Sequence, residues 1–220
     1  MNDVVVTAMV RPERGVGTVE TVVPATRKRK RETRERILEA ATHVFAEKGY
    51  YGATMDDIVA ASGISKGGLY FHFATKEAIF LALPNRLGEM LWNGMVEAMR
   101  PEVAMEDRMW AAVTSCLLTF EQHRDLTRVA LVEAQLVDPR ADHKIQAITR
   151  FFAHVHRQAL DRLVTEGVLP PQDTQLASYA LVGTVLEIVL RWLMGDEKRP
   201  LSMLAPDLVR YNLRAVGMHI

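Results

Sequence analysis

Ser65-Lys66-Gly67-Gly68-Leu69-Tyr70-Phe71-His72-Phe73 decides the fold, because it follows two helix-like patterns at helix-turn-helix spacing. Upstream, Ile37, Leu38, Ala41 and Phe45 are apolar at intervals of three and four, the mark of a helix with one buried face, and Gly49 can end it. Thr54 stands before Met55-Asp56-Asp57-Ile58-Val59-Ala60-Ala61, placed to accept a hydrogen bond from a free first-turn amide, with Asp57 three positions on to complete a capping box. Ser62-Gly63 breaks this second helix, Gly being suited to the left-handed turn after a helix, and Ser65 caps a third that runs through Tyr70 to His72. Two short helices joined by a turn containing Gly make a helix-turn-helix.

Six fragments stand in order between residues 33 and 83: Ile37-Leu38-Glu39-Ala40-Ala41; Phe45-Ala46-Glu47-Lys48-Gly49-Tyr50; Thr54 with Asp57-Ile58-Val59-Ala60; Gly63-Ile64-Ser65-Lys66-Gly67; Leu69-Tyr70-Phe71-His72-Phe73; and Lys76-Glu77. Together they resemble the tetracycline-repressor (TetR) family of bacterial one-component regulators. Past residue 83 only a helical pattern continues. The resemblance implies an all-α protein, with an N-terminal three-helix helix-turn-helix DNA-binding head and a C-terminal helical ligand-binding and dimerisation domain. The corresponding layout is a flexible basic arm over 1–31, the head over 32–83 and the effector-binding and dimerisation part over 84–220. It further implies a cytoplasmic homodimer that represses from a palindromic double-stranded DNA operator and is released by a small hydrophobic effector. Corepressor-dependent or activating regulation is the variant within that reading. A helical ligand-binding or scaffolding dimer without DNA affinity is the alternative from another class.

Composition is compatible with this. The chain has 220 residues, enough for a small head and a larger second part, and 49% of them are hydrophobic, enough for a real core. A formal net charge of zero argues by itself against a nucleic-acid binder. Between Arg27 and Lys76, however, ten Lys or Arg face six Asp or Glu, an excess of about four positive charges. The single Cys116 excludes an intramolecular disulfide and suits a reducing cytosol; among Val113, Leu117 and Leu118 it reads as a small core residue, not a redox switch. The Val4-Val5-Val6-Thr7-Ala8-Met9-Val10 run lacks a basic n-region and implies no secretion. The apolar stretch 179–190 is interrupted by Glu187 and is too short for a bilayer, so no membrane is expected.

Residues 1–31 have no helical period, contain Pro12, Gly15, Gly17 and Pro24, and end in Arg27-Lys28-Arg29-Lys30-Arg31. That run is either a solvated tail or an arm that lies along phosphates or enters the minor groove. From Lys76 onward the periodicity predicts helices over 77–99, with Pro84 able to kink or interrupt the first, then 105–122, 125–137, 141–166, 174–194 and 203–216. Pro101, Pro139, Gly167 with Pro170-Pro171, and Gly195 with Pro200 punctuate the joints, and Pro206 is expected in the first turn of the last helix.

For DNA the third helix is the recognition helix, with Ser65, Lys66, Gly67, Tyr70 and His72 as candidates and Thr54 and Lys76 beside them. Gly67 and Gly68 each cost about 1 kcal/mol relative to Ala inside a helix, so either close approach to DNA or a tight turn benefits from the missing side chains. In the family the corresponding Tyr touches a phosphate or thymine methyl, which the resemblance transfers to Tyr70. Lys66 and Lys76 supply charges for phosphates, and Thr54 with the amides of its helix N-terminus offers an anion site. His72 is either a backbone contact or a solvated side chain. Ile58, Ile64, Leu69 and Phe73 are assigned to the head core. The absence of Arg, Asn and Gln from this helix leaves the operator sequence unread.

No Gly-x-Gly-x-x-Gly, phosphate loop or His-Glu-x-x-His occurs, and His154 and His156, two apart on a helix, point in different directions. Neither enzymatic activity nor a cofactor or metal is therefore expected. Candidate effector contacts are Trp92, Met95, Trp110, Thr114, Phe151, Phe152 and Val155, with Met95 and Met109 adaptable in shape and Glu133, Gln135, His154 or Glu187 as polar orienters. For the dimer, Leu176, Tyr179, Gly183, Leu186 and Leu190 give the 174–194 helix an apolar face, and Leu208 and Tyr211 place the last helix beside it; extra core is the alternative.

Overall fold

The computed structural model describes residues 25–98 and 105–218, and every regular element among them is helical. The Val-rich start and the Pro12, Gly15, Gly17 and Pro24 positions lie outside the described residues. The chain divides into two compact units, 1–33 and 34–220.

Helix α1 spans Ala25–Gly52 and α2 spans Met55–Ser62; α3 is Lys66–His72 and α4 is Lys76–Phe80. The expected irregular arm is therefore corrected over its last part, because Arg27 to Arg31 are helical, with exposed side chains. Lys and Arg are good helix formers, and the Thr33 hydroxyl donates to Arg29 O at 2.9 Å within that turn. Gly49 interrupts α1 at φ 67°, ψ 168°, a conformation open to Gly and little else.

Leu83–Ala98 forms α5 and Met105–Gln122 forms α6. The helix expected over 77–99 is interrupted just before Pro84, which becomes the second residue of α5 and not a kink inside a continuous helix. Arg124–Arg128 (α7) runs into a π-helical turn, Val129–Glu133, and then into Ala134–Val137 (α8). Pro139–Thr165 is α9, capped by Asp138; Thr174–Met194 is α10, capped by Asp173; Leu201–Ala215 is α11. The last helix begins earlier than the pattern suggested, so Pro206 lies within it and not in its first turn. A carboxylate from α6 supplies the missing cap, since Ser202 N donates to Glu121 Oε2 at 2.7 Å across 81 positions.

Within residues 34–220 one apolar core joins the head to the helices that follow. Ile37, Leu38, Ala41 and Phe45 are fully buried, as their spacing required, and they share a cluster with Phe80, Leu83 and Leu117. Phe80 meets Phe45 edge-on at 5.1 Å. Around Leu160, Leu163, Leu181, Val209 and Leu213 a second cluster closes the far ends of α9, α10 and α11.

Candidate functional site

The helix-turn-helix is built from short-range polar caps. Asp57 N donates to Thr54 Oγ1 at 3.1 Å while Thr54 N donates to Asp57 Oδ2 at 2.9 Å, which is the reciprocal capping box. A hydrogen bond from Lys48, and then those from Thr54, hold the Asp57 carboxyl down to about 2. Gly63 ends α2 at φ 63°, and Ser65 Oγ accepts from Gly68 N at 3.2 Å to start α3. Leu69 and Ile58 are fully buried and Phe73 nearly so, leaving the outer side of α3 exposed.

On that side stand Ser65, Lys66, Gly67 and Tyr70, with Thr54 also exposed on α2's cap. Lys66 pairs with Asp56 at 2.8 Å, both side chains well exposed, and this partner raises the ammonium's affinity for its proton. His72 is half-exposed, its ring edge-on to Phe71 at 5.4 Å. The two glycines differ. A Cβ on Gly67 would meet nothing within 4 Å, whereas one on Gly68 would meet Ile64 Cγ2 at 2.9 Å, so Gly68 is explained by internal packing.

Lys76 is a correction. Its ammonium donates to Tyr50 O and Ala53 O at 2.6 Å each and lies 4.5 Å from the Tyr50 ring centroid. The break at Gly49 leaves carbonyls at the negative end of α1, and the cation is held there, folded back into the head.

Behind the head, α5, α6, the π-helical turn, α9 and α10 enclose an apolar cavity of about 850 Å³, its opening to solvent included. Met95 and Phe152 line it as expected. Trp92, Trp110, Thr114, Phe151 and Val155 do not. The helical period explains why: the α9 residues facing the cavity are Ile145, Ile148, Thr149, Phe152 and His156, and Phe151 turns aside to meet Trp92 edge-on at 5.0 Å. Val155 packs against the main core and Trp110 against the second cluster. Among the described residues no Asp, Glu, Lys or Arg lines the cavity.

The expected polar orienters are elsewhere as well. Glu133 lies 3.6 Å from Arg128, Glu187 pairs with Arg191 at 2.7 Å, and His154 is exposed; the Gln135 side chain lies outside the described residues. In their place the cavity has Cys116, Thr149 and His156. Burial pushes the Cys116 thiol up to about 12, so it is a neutral small residue, as expected. Burial also pushes His156 below the ordinary imidazole value, opposed by its bond with Phe152 O.

The outer face of α10 carries Leu176, 66% exposed, Tyr179, 54% exposed, and Gly183, around which a Cβ would meet nothing within 4 Å. Tyr211 on α11 is 62% exposed, and Met194 and Met203, not anticipated, extend the same kind of surface. Two expected interface residues are corrected: Leu208 is buried in the chain's own core, and Leu186 lines the cavity; Leu190 is half-buried. α10 is 21 residues long, and its most apolar 18-residue window has a mean hydropathy of 1.5, long and apolar enough by length and composition alone to cross a membrane; 22% of that window is buried. Leu176, Tyr179 and Met194 thus leave an apolar strip of α10 uncovered by its own chain, while Val182, Val185, Leu186, Ile188 and Leu190 pack against the core.

The chain matches the family model described as bacterial regulatory proteins, tetR family, over residues 37–83, and that of a tetracyclin repressor-like C-terminal domain over 102–214. It belongs to the TetR family. As a TetR-family member it is a DNA-binding transcriptional regulator and not an enzyme. It is similar to the fatty acid metabolism regulator protein of Bacillus subtilis, 25% identical over 87% of this chain and 98% of that one. The HTH-type transcriptional regulator SrpR of Pseudomonas putida is 31% identical over 76% of this chain and 78% of its own. FadR from Bacillus subtilis, solved in complex with stearoyl-CoA, shares the fold with a TM-score of 0.70 at 23% identity, covering 84% of this chain and 99% of that one.

Three polar links among the described residues join the head of this TetR-family regulator to the helices behind it, one of them the ion pair of Arg140 on α9 with Glu77. Arg86 on α5 donates to Glu35 at 3.0 Å, and Arg128 Nη2 donates to Ala46 O at 2.8 Å. Arg128 immediately precedes the π-helical turn whose Leu131 lines the cavity, and its Nε is buried without a hydrogen-bond partner. The apolar run Val129-Ala130-Leu131-Val132 gave no sign of π geometry, because a π turn differs from an α turn only in which amide reaches which carbonyl.

Proposed function

We propose that this TetR-family regulator is a cytoplasmic homodimeric repressor whose heads, residues 32–83, bind a palindromic double-stranded DNA operator. Residues 84–220 then dimerise and hold a small hydrophobic effector of acyl-chain character. The observation that carries this reading is that α5 supplies one wall of the apolar cavity and also carries Arg86 to Glu35 of the head. Thr54, Ser65, Lys66, Gly67 and Tyr70 lie toward DNA, with His72 at the edge. Leu176, Tyr179, Gly183 and Tyr211 meet their counterparts in the partner, about a C2 axis, so that the two heads stand about 34–36 Å apart, one turn of DNA. The Bacillus relative's name and the stearoyl-CoA complex of the FadR structure support the acyl-chain class of effector.

An effector shifts the equilibrium only by its differential affinity for the two arrangements, so a ligand that spreads α5 from α9 favours the arrangement with displaced heads. A gel shift on the chain's own upstream region at fixed salt tests this. A retarded complex is expected that salt weakens and an apolar ligand dissociates. Absence of a complex at low salt removes the DNA reading and leaves the ligand-binding dimer.

A further inference from the structure

The cavity's apolar walls account for binding an apolar chain but not for which polar group that chain carries. His156 settles this chemically. Its Nδ1 lies 2.7 Å from Phe152 O. A carbonyl oxygen can only accept, so Nδ1 carries the hydrogen. With that proton fixed, the neutral ring has a bare lone pair at Nε2, and no residue donates to it among the described residues. The neutral form is the one the surroundings favour, since the half-buried ring is desolvated by the cavity walls and no carboxylate among the described residues lines the cavity to hold an imidazolium.

The other polar groups of the cavity have the same polarity. Thr149 Oγ1 donates its hydrogen to Ile145 O at 2.8 Å, leaving the hydroxyl oxygen as an acceptor. Cys116 contributes a thiol, at most a weak donor. Among the described residues the site therefore has acceptors, no cation and no strong donor. An ionised carboxylate placed inside would be desolvated without a partner, whereas a hydroxyl, phenol or amide N–H would bond a lone pair that no described protein group uses.

Building on the effector-cavity reading above, we propose that the effector's polar group inside the cavity is a neutral hydrogen-bond donor seated on His156 Nε2, and that His156 selects lipophilic alcohols over equally long ethers and ionised acids. On an acyl-type effector any ionised headgroup stays outside the cavity walls.

Two probes of equal heavy-atom count test it: 1-decanol, which can donate, and 1-methoxynonane, which can only accept. Calorimetric titration of the full-length protein and of His156→Phe with both gives a double-mutant cycle in which the differing solubilities of the probes cancel. The preference for decanol is expected to be about fivefold to tenfold stronger in the wild type than in the variant. A ratio near one overturns the proposal while leaving the cavity as an effector site. Binding of neither probe to the wild type overturns both. Should the variant fail to fold, the wild type alone decides: the Nε2 nitrogen resonance of His156 moves when decanol is added and not when the ether is. No shift, or the same shift with both, overturns the proposal.

Discussion

The head and the cavity are built on different length scales. Thr54 with Asp57 and Ser65 with Gly68 are cap pairs three positions apart, so each helix start is specified by its own few residues. The cavity wall takes residues from Pro84 to Leu186 and is defined only once α5, α6, α9 and α10 have packed. Local polar chemistry fixes where each head helix begins. Long-range apolar packing makes the cavity a place where side chains meet a void, and such a place can be remodelled by a ligand.

The largest expected effect probes that difference directly. Phe45 is fully buried at the head end of the apolar core, and Phe45→Ala should cost about 3–5 kcal/mol in denaturant unfolding. Phe152 faces the cavity, so Phe152→Ala removes fewer packed neighbours and should cost about half as much. Equal losses would mean that the cavity is filled by its own walls.

Next in size is Lys76, whose two carbonyl partners make it a structural cation. Lys76→Met should lower stability by about 1.5–3 kcal/mol and leave the salt dependence of DNA binding unaltered. A drop of about one in the salt slope would restore it to the phosphate contacts.

Smaller still are the effects at the two helix starts. Thr54→Ala should cost about 1 kcal/mol by loss of the capping box, with operator affinity falling alongside. Gly67→Ala has room for its methyl group and should raise stability by up to about 1 kcal/mol while weakening operator binding, since the new group faces DNA. If melting temperature and operator affinity both rise, the exposed side of α3 is not the DNA face.

What could be read from sequence follows the same division. The capping box, the Gly63 turn and the buried Ile37, Leu38, Ala41 and Phe45 were legible because propensity and period act over a few residues. The role of Lys76 is not legible in sequence, because an ammonium suits a phosphate and a helix C-terminus equally, and only the fold shows the Tyr50 and Ala53 carbonyls within its reach. At the cavity, Met95 and Phe152 were found by apolar character, but Trp92 and Phe151 share that character one position away on the opposite flank. A rotation of about 100° per residue separates wall from core, and composition carries no phase. For His156 the sequence shows only that it and His154 point apart; its place in the cavity is not legible, because its partner is a backbone carbonyl, which every sequence has at every position.

The central claim is that cavity and operator are linked through the helices they share, and reciprocal titration tests it most directly. Operator affinity is measured at fixed salt with and without 1-decanol, and decanol affinity with and without operator DNA drawn from the chain's own upstream region. Decanol should weaken operator binding by a factor of about 5 to 150, operator should weaken decanol binding by the same factor, and Leu131→Trp, which fills the cavity, should abolish both effects. Decanol that binds free and operator-bound protein equally well, with operator affinity unchanged, would contradict the account.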